Sequence, residues 1–260
     1  MSGETEHAQL ERLRRVWAVL GQDDPLWAVL SRADKRGGRW DVEEFLVTGR
    51  TEIDGQLALL AGWNLPQQRR SALDFGCGAG RLTRALAAHF GEAIGIDVSP
   101  SMIAKARSLN ADLGNLRFIE NRSARLDAVA DASIDLVYSC ITLQHIPADL
   151  AFGYVAEFLR VLTPGGVAAF QFVAGTDRSW RGRLFALMPN RWLNPLRRLA
   201  WRRQAVFEMH VLEESRLRDL LARDPGVRLL AAIDDGAAGA GWSSRRWYLT
   251  REDAANIRAD

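Results

Sequence analysis

Three glycines within five residues separate a short apolar run from a stretch with helical spacing. The segment reads Leu73-Asp74-Phe75-Gly76-Cys77-Gly78-Ala79-Gly80-Arg81. Glycine has no Cβ, so the backbone can turn sharply here and a ligand can approach it closely. The order of strand, tight turn and helix therefore predicts a nucleotide-type site. A dinucleotide fingerprint, G-x-G-x-x-G, would need its third glycine at position 81, which is occupied by Arg81.

Two carboxylates flank this glycine turn. Asp74 stands two residues before the first glycine, and Asp97 ends the next predicted strand about twenty residues after the turn. A carboxylate repels a phosphate but attracts a cationic ligand, so Asp74 argues against a simple phosphate site. Asp97 can accept hydrogen bonds from both hydroxyls of a ribose. Asp97 alone would also suit a nicotinamide enzyme, but Asp74 and the glycine spacing make that class the least favoured.

With these residues the chain resembles the class I S-adenosylmethionine (AdoMet)-dependent methyltransferases. Leu73–Gly80 resembles the first motif of that family and Asp97–Met102 its second. Ala132–Val137 resembles the fourth-strand motif, and Leu143–Ile146 the loop that follows it. The resemblance extends from Ser71 to about Val173. It implies an enzyme that transfers the methyl group of S-adenosyl-L-methionine to an O, N or C atom of a small molecule.

The resemblance also suggests which residues hold the cofactor. In the family, the glycine turn wraps the methionine part, the acid before it lies near the amino end, and Met102 would pack on adenine. The family usually has an acid after strand three, whereas here the candidates for adenine recognition are Asn121, Ser123 or backbone groups. The candidate cofactor-binding residues are Asp74, Gly76, Cys77, Gly78, Gly80, Arg81, Asp97, Val98, Met102, Asn121, Arg122, Ser123, Cys140 and, from the N-terminal segment, Arg50.

Two histidines are candidates for a general base. His145 follows the predicted fourth strand, and the ordinary pKa of histidine lies near neutrality. His210 is a second candidate, ahead of a later helix. His145 has an equally simple structural interpretation as a residue of the loop motif. Methyl transfer from a sulfonium can also proceed without a base, since the leaving group is neutral and positioning supplies much of the rate.

The pattern of elements predicts an α/β fold. Strand and helix periods alternate from Ser71, as a parallel sheet requires. We expect a Rossmann-like, seven-stranded, mostly parallel sheet with an antiparallel C-terminal hairpin, an N-terminal helical extension and a helical insertion after strand five. The expected divisions are a helical cap at 1–65, an AdoMet-binding core at 66–173, an arginine-rich insertion at 174–210 and the rest of the core at 211–260.

Composition narrows the functional classes. The chain of 260 residues has 48% hydrophobic and 25% charged residues, two cysteines and a net charge of +2. These values are typical of a globular protein and do not favour a general nucleic-acid binder. No membrane span, signal peptide, disulfide framework or metal site is predicted. We expect a cytoplasmic protein with a small-molecule acceptor, and the oligomeric state stays open.

The arginine-rich insertion leaves alternatives open. From 178 to 203 there are eight arginines and no acid. These arginines could meet an anionic acceptor, contact an anionic membrane surface or simply be solvated. Two other functions also remain: a family member that binds AdoMet without methylating, and an RNA methyltransferase that uses Arg197, Arg198, Arg202 and Arg203.

Overall fold

The computed structural model describes residues 5–187 and 208–252 and contains a seven-stranded sheet of order β3-β2-β1-β4-β5-β7-β6. Neighbouring strands from β3 to β5 are parallel, whereas β7 runs antiparallel to both β5 and β6. The predicted Rossmann-like fold class is therefore confirmed. The strands are β1 (Ser71–Phe75), β2 (Glu92–Asp97), β3 (Leu116–Glu120), β4 (Ile134–Ser139), β5 (Leu162–Thr176), β6 (Val227–Asp235) and β7 (Trp242–Arg251).

Helices precede the sheet and cover both of its faces. Several begin at side chains that satisfy free backbone N–H groups: Thr5, Asp41 and Ser99 accept from the N–H three residues ahead. The helices are α1 (Glu6–Asp23), α2 (Pro25–Val29), α3 (Val42–Ala61), α4 (Arg81–Ala87), α5 (Pro100–Leu109), α6 (Ala148–Val161), α7 (Trp180–Leu187) and α8 (Glu214–Ala222). Within the described ranges, these helices are too short or too polar to span a bilayer.

The core has two main layers because successive residues of each buried strand point to opposite faces. Leu73 belongs to a cluster with side chains of α6 and α8, while its neighbour Ala72 belongs to a cluster with α3 and α4. Both faces of β1 and β4 are thus buried, which explains their nearly continuous apolar sequences.

Helix α3 contains Gly49-Arg50-Thr51, a sequence that by itself predicts an interruption of the helix. The helix is nevertheless continuous from Val42 to Ala61. A Cβ on Gly49 would lie 2.4 Å from the backbone oxygen of Arg81. Gly49 therefore permits close contact between α3 and α4 and does not break the helix.

Strand β5 starts directly after α6 and includes Thr163-Pro164-Gly165-Gly166, a sequence that by itself predicts a turn. Its pairing with β4 shifts register there, with Ile134 opposite Leu162 but Leu136 opposite Val167. Most of the arginine-rich insertion, including Arg197, Arg198, Arg202 and Arg203, lies outside the described residues.

Candidate functional site

A cavity opens at the carboxyl ends of the parallel strands, with about 840 Å³ of empty space that includes its opening to solvent. This is where open α/β sheets place their ligands. The strand ends and their loops form one wall, and α1 and α2 form the opposite wall. The lining residues are Leu13, Trp17, Ala28, Val29, Phe75, Gly76, Cys77, Gly78, Arg81, Leu82, Ile96, Asp97, Val98, Met102, Asn121, Cys140, Ile141, Thr142, Ile146 and Tyr154.

The glycine turn requires glycine for conformation and for space. Gly76, Gly78 and Gly80 have φ angles of +76°, +51° and +83°, a region that side chains rarely adopt. A Cβ on Gly76 would lie 2.2 Å from Cγ2 of Thr142, and one on Gly78 would lie 2.4 Å from Cγ2 of Val29. Side chains at Gly76 and Gly78 would therefore collide with the facing cavity wall.

Asp97 is fixed by the turn that it faces. Its two carboxylate oxygens accept hydrogen bonds from the backbone N–H groups of Gly78, at 2.9 Å, and Ser99, at 2.8 Å. Burial raises the pKa of Asp97 to about 6, although these hydrogen bonds oppose the shift. Each oxygen retains a further lone pair, so the carboxylate can also accept hydroxyl groups from a ligand.

Asp74 lies behind the turn and does not line the cavity. Its Oδ2 accepts a hydrogen bond of 2.6 Å from Oγ1 of Thr83, whereas its Oδ1 is buried without a partner. Burial raises the pKa of Asp74 to about 6, opposed by the hydrogen bond from Thr83 and by the charge of Arg81. Any effect of Asp74 on a ligand therefore acts through the turn or through its charge.

The far end of the cavity, by β2 and β3, is lined by Val98, Met102 and Asn121. The Asn121 amide donates to the Ser123 carbonyl at 2.8 Å and to the Tyr154 hydroxyl at 3.2 Å. Tyr154 in turn donates to the same Ser123 carbonyl at 2.8 Å.

Arg122 and Arg50 lie outside the cavity lining. The Arg122 side chain is 71% exposed and pairs with Glu120. The Arg50 side chain is 52% exposed and pairs with Glu43 at 2.7 Å on the outer face of α3. Neither of these two side chains lines the cavity.

Arg81 and Cys140 lie at the inner end of the cavity, where β4 ends. Both are buried and line the cavity. The Cys140 sulfur accepts a hydrogen bond of 3.5 Å from Arg246 on β7, and burial raises the pKa of the thiol to about 12. Cys140 therefore stays protonated near neutral pH. Cys77 also stays protonated, because burial raises its pKa well above the usual value.

The two candidate bases are not among the cavity-lining residues. His145 is buried behind Trp17, with ring centroids 5.3 Å apart. Its Nδ1 lies 2.7 Å from the Glu208 carbonyl oxygen and its Nε2 lies 3.2 Å from the Gln144 amide nitrogen. His210 Nε2 lies 3.5 Å from the Glu208 carboxylate, and its backbone N–H donates to the Gln144 carbonyl.

Several lining residues were not anticipated from the sequence. Trp17 and Val29 come from the N-terminal helices, and their helical spacing does not reveal which face meets the cavity. Ser99 and Ser101 hold α1 in place by donating to the carbonyls of Trp17 and Ala18, at 3.1 and 2.9 Å. Trp40 and Phe45 lie outside the cavity lining and pack against each other in a separate cluster.

Comparison with known proteins agrees with this architecture. Residues 72–166 match the family described as "Methyltransferase domain". Trans-aconitate 2-methyltransferase of Deinococcus radiodurans is 38% identical over 109 residues, which are 41% of this chain and 39% of that protein. Trans-aconitate 2-methyltransferase of Streptomyces avermitilis is 29% identical over 72% of this chain and 62% of its own length. The first three curated relatives are matched over only 37% to 51% of their length.

Solved structures show the same fold. Magnesium protoporphyrin IX methyltransferase from Synechocystis, with S-adenosylhomocysteine (SAH) bound, aligns with a TM-score of 0.61 at 17% identity. That alignment covers 93% of this chain and 99% of the other. An S-adenosylmethionine-dependent methyltransferase from Clostridium acetobutylicum aligns with a TM-score of 0.58 at 16% identity, covering 88% and 97% of the two chains. Residues 72–166 are therefore similar to the methyltransferase domain family, and the chain shares the fold of solved AdoMet-dependent methyltransferases.

Proposed function

We propose that the chain is an AdoMet-dependent methyltransferase that acts on a small molecule. The observation that carries this proposal is the contact between the glycine turn and Asp97. The Gly78 N–H binds the Asp97 carboxylate, while the Cα atoms of Gly76 and Gly78 face the cavity without side chains. This arrangement suits a nucleoside whose ribose meets Asp97 and whose remaining part runs along the turn.

The lining residues fit the parts of AdoMet. Asp97 would accept the ribose hydroxyls, and Met102 and Val98 would pack on the adenine ring. Asn121 and Tyr154 would place polar atoms at the adenine edge, in place of the acid that the family usually has. Gly76 would lie along the methionine part. When bound, AdoMet supplies an electrophilic methyl group on a positively charged sulfur.

The rest of the cavity would hold the acceptor. Ile141 and Thr142 follow β4, directly opposite Gly76, and Trp17 and Val29 close the space from α1 and α2. This mainly apolar wall favours positioning of the acceptor and exclusion of water over proton transfer. Neither His145 nor His210 lines it, so we propose that no histidine acts as the base.

We further propose that the acceptor carries negative charge. Four relatives that match this chain are named for methylation of trans-aconitate, a carboxylate compound. The cavity wall also contains the buried guanidinium of Arg81. These observations support an anionic small molecule.

Binding of SAH, measured by calorimetry, tests the proposal. The wild-type chain should bind it, and Asp97→Ala should weaken binding at least tenfold by removing the ribose acceptor. Asp112→Ala is the matched control, because Asp112 is exposed and pairs with Arg84 away from the cavity. If wild type showed no binding, or Asp97→Ala bound as tightly as wild type, the proposal would be wrong.

A second candidate function is AdoMet binding without methyl transfer. The observation that favours it is the absence of an acid after β3, where the described structure has Asn121 and an outward-facing Arg122. Incubation with AdoMet and a metabolite extract separates the two functions. A methyltransferase should generate SAH in proportion to added extract, whereas a binding protein should show affinity and no product.

A further inference from the structure

Arg81 is a buried cation without a hydrogen-bond partner among the residues that the structure describes. Its side chain is 5% exposed and lines the cavity next to Leu82 and Cys140. The Nε atom is buried without a hydrogen-bond partner, and the guanidinium forms no hydrogen bond or ion pair with any part of the chain that the structure describes. Buried arginines are normally paired, because an isolated charge loses its hydration on burial.

Arg246 shows how this fold treats a guanidinium that serves its architecture. It is buried to nearly the same degree, at 6% exposed. It donates to Glu52 and Tyr138, both at 2.6 Å, and to Asp235 at 3.2 Å. Arg246 is therefore satisfied by the protein, whereas Arg81 is not.

The acids near Arg81 do not supply its missing partner. The charge of Arg81 favours ionisation of Asp74 and Glu52, which indicates that both are near. However, Glu52 is engaged by Tyr138 and Arg246, and Asp74 receives only the hydroxyl of Thr83. The guanidinium of Arg81 thus has no hydrogen bond to these acids, and its Nε is buried without an acceptor.

The missing partner should be a singly charged, planar anion. A carboxylate matches the fork of a guanidinium with two parallel hydrogen bonds. A phosphate would bring a larger negative charge towards Asp74 and Asp97, which lie close to the same turn. The surroundings therefore favour a carboxylate over a phosphate.

We propose that Arg81 is the carboxylate-binding residue of the cavity. The carboxylate belongs either to the methionine part of the cofactor or to the acceptor. This inference rests on the proposed function only for the identity of the two ligands, cofactor and acceptor, that would carry the carboxylate. That the guanidinium has no partner within residues 5–187 and 208–252 is an observation independent of that function.

Arg81→Met tests the proposal, because methionine keeps much of the length without the charge. Arg84→Met is the matched control: Arg84 lies one turn further along α4 and pairs with Asp112 through two hydrogen bonds of 2.7 Å. Calorimetry would measure binding of three probes. SAH has the carboxylate, 5′-methylthioadenosine lacks it, and trans-aconitate represents a carboxylate acceptor.

Two outcomes would support the proposal and identify the source. If the carboxylate is the cofactor's, Arg81→Met should weaken SAH binding at least tenfold and leave 5′-methylthioadenosine binding unchanged. If it is the acceptor's, SAH binding should stay within threefold of wild type, while trans-aconitate binding to the SAH-loaded protein disappears. Arg84→Met should match wild type throughout.

Two other outcomes would overturn it. One is that Arg81→Met binds SAH and trans-aconitate as wild type does. The other is that it loses SAH and 5′-methylthioadenosine equally, which indicates a damaged cavity. The unfolding temperature of Arg81→Met should equal or exceed that of wild type, because a buried unpaired charge is removed. If wild type bound no nucleoside, the proposed function would fail, while trans-aconitate binding to the protein alone would still judge Arg81.

Discussion

The Nδ1 atom of His145 lies 2.7 Å from the carbonyl oxygen of Glu208, so Nδ1 must carry the proton of this hydrogen bond. On the other side of the ring, Nε2 lies 3.2 Å from the Gln144 amide nitrogen, which can only donate. Both contacts agree with one neutral tautomer of His145. In this tautomer the ring links the segment at Glu208 to the loop after β4.

The hydrogen bonds continue from Gln144 to the cavity wall. Gln144 Oε1 accepts from the Gln171 amide at 3.1 Å, and Gln171 Oε1 accepts from the Ile141 backbone N–H at 3.1 Å. Ile141 lines the cavity with a φ of +58°, which is unfavourable for a β-branched residue. We therefore expect this series of hydrogen bonds to hold Ile141 in its strained backbone conformation.

The first prediction concerns His145. Its imidazole should be the Nδ1–H tautomer at neutral pH, visible in the ¹⁵N chemical shifts of the two ring nitrogens. His145→Asn, which keeps a donor for Glu208, should be more stable than His145→Leu by about 1 kcal/mol, as expected for one retained hydrogen bond. A predominant Nε2–H tautomer, or equal stability of the two variants, would contradict the arrangement.

The second prediction concerns pH. Burial raises the pKa of Asp97 to about 6, above the usual value of 3.8. A ribose needs the ionised carboxylate, so SAH affinity should fall as pH drops below about 6, approaching tenfold per unit. For the free protein the sign is opposite: the folded state binds the extra proton between pH 3.8 and about 6, so this group's contribution to stability falls as pH rises through that window.

Calorimetric titration with SAH between pH 5 and pH 8 measures the effect. Asp97→Asn cannot ionise, so its affinity should be weaker and lack the component of the pH dependence that belongs to Asp97. Asp74 has a similarly raised pKa and remains in that variant. A wild-type affinity that is flat from pH 8 to 5 would contradict the expected role of Asp97.

The third prediction compares two glycines of the same helix. Gly49→Ala should destabilise the protein by about 1–3 kcal/mol, because its Cβ would lie 2.4 Å from the backbone oxygen of Arg81. Gly55→Ala should stabilise it by roughly 0.5–1 kcal/mol, because nothing lies within 4 Å and alanine favours the helix. Urea denaturation gives both values. Equal effects would mean that α3 and α4 do not touch at Gly49.

The fourth prediction concerns Tyr154. Tyr154→Phe removes the hydroxyl that accepts from Asn121 and donates to Ser123. Asn121 retains its own bond to Ser123, so the fold should persist, and SAH affinity should fall about three- to tenfold, the value of roughly one hydrogen bond. Phe152→Leu is a suitable control because Phe152 lies on the same helix and does not line the cavity. Unchanged SAH affinity in Tyr154→Phe would exclude a role for this hydroxyl.

The sequence predicted those features that depend on neighbours along the chain. The strand ends, the glycine turn and Asp97 follow from local spacing, and the structure brings Gly76, Gly78 and Asp97 to one cavity. Strand alternation and turn residues also predicted the C-terminal hairpin of β6 and β7.

The sequence did not reveal features that depend on distant contacts. From sequence alone, Gly49 predicts a break in the helix, whereas in the structure it lets the backbone of Arg81 approach α3. Arg50 was a candidate cofactor-binding residue, but it lies on the outer face of α3. The sequence also did not reveal which faces of α1 and α2 point towards the cavity. For α1 the face depends on Ser99 and Ser101, which are some eighty residues away from the carbonyls they bind.

Ser99 and Ser101 attach the N-terminal helix to the rest of the fold. Helix α1 covers the cavity through Leu13 and Trp17, and its closing turns are tied to the start of α5 by two hydroxyl groups. A ligand between the strand ends and α1 would lie against this cover. We therefore expect the residence time of the cofactor to depend on these two hydrogen bonds between α5 and α1 as well as on the contacts inside the cavity.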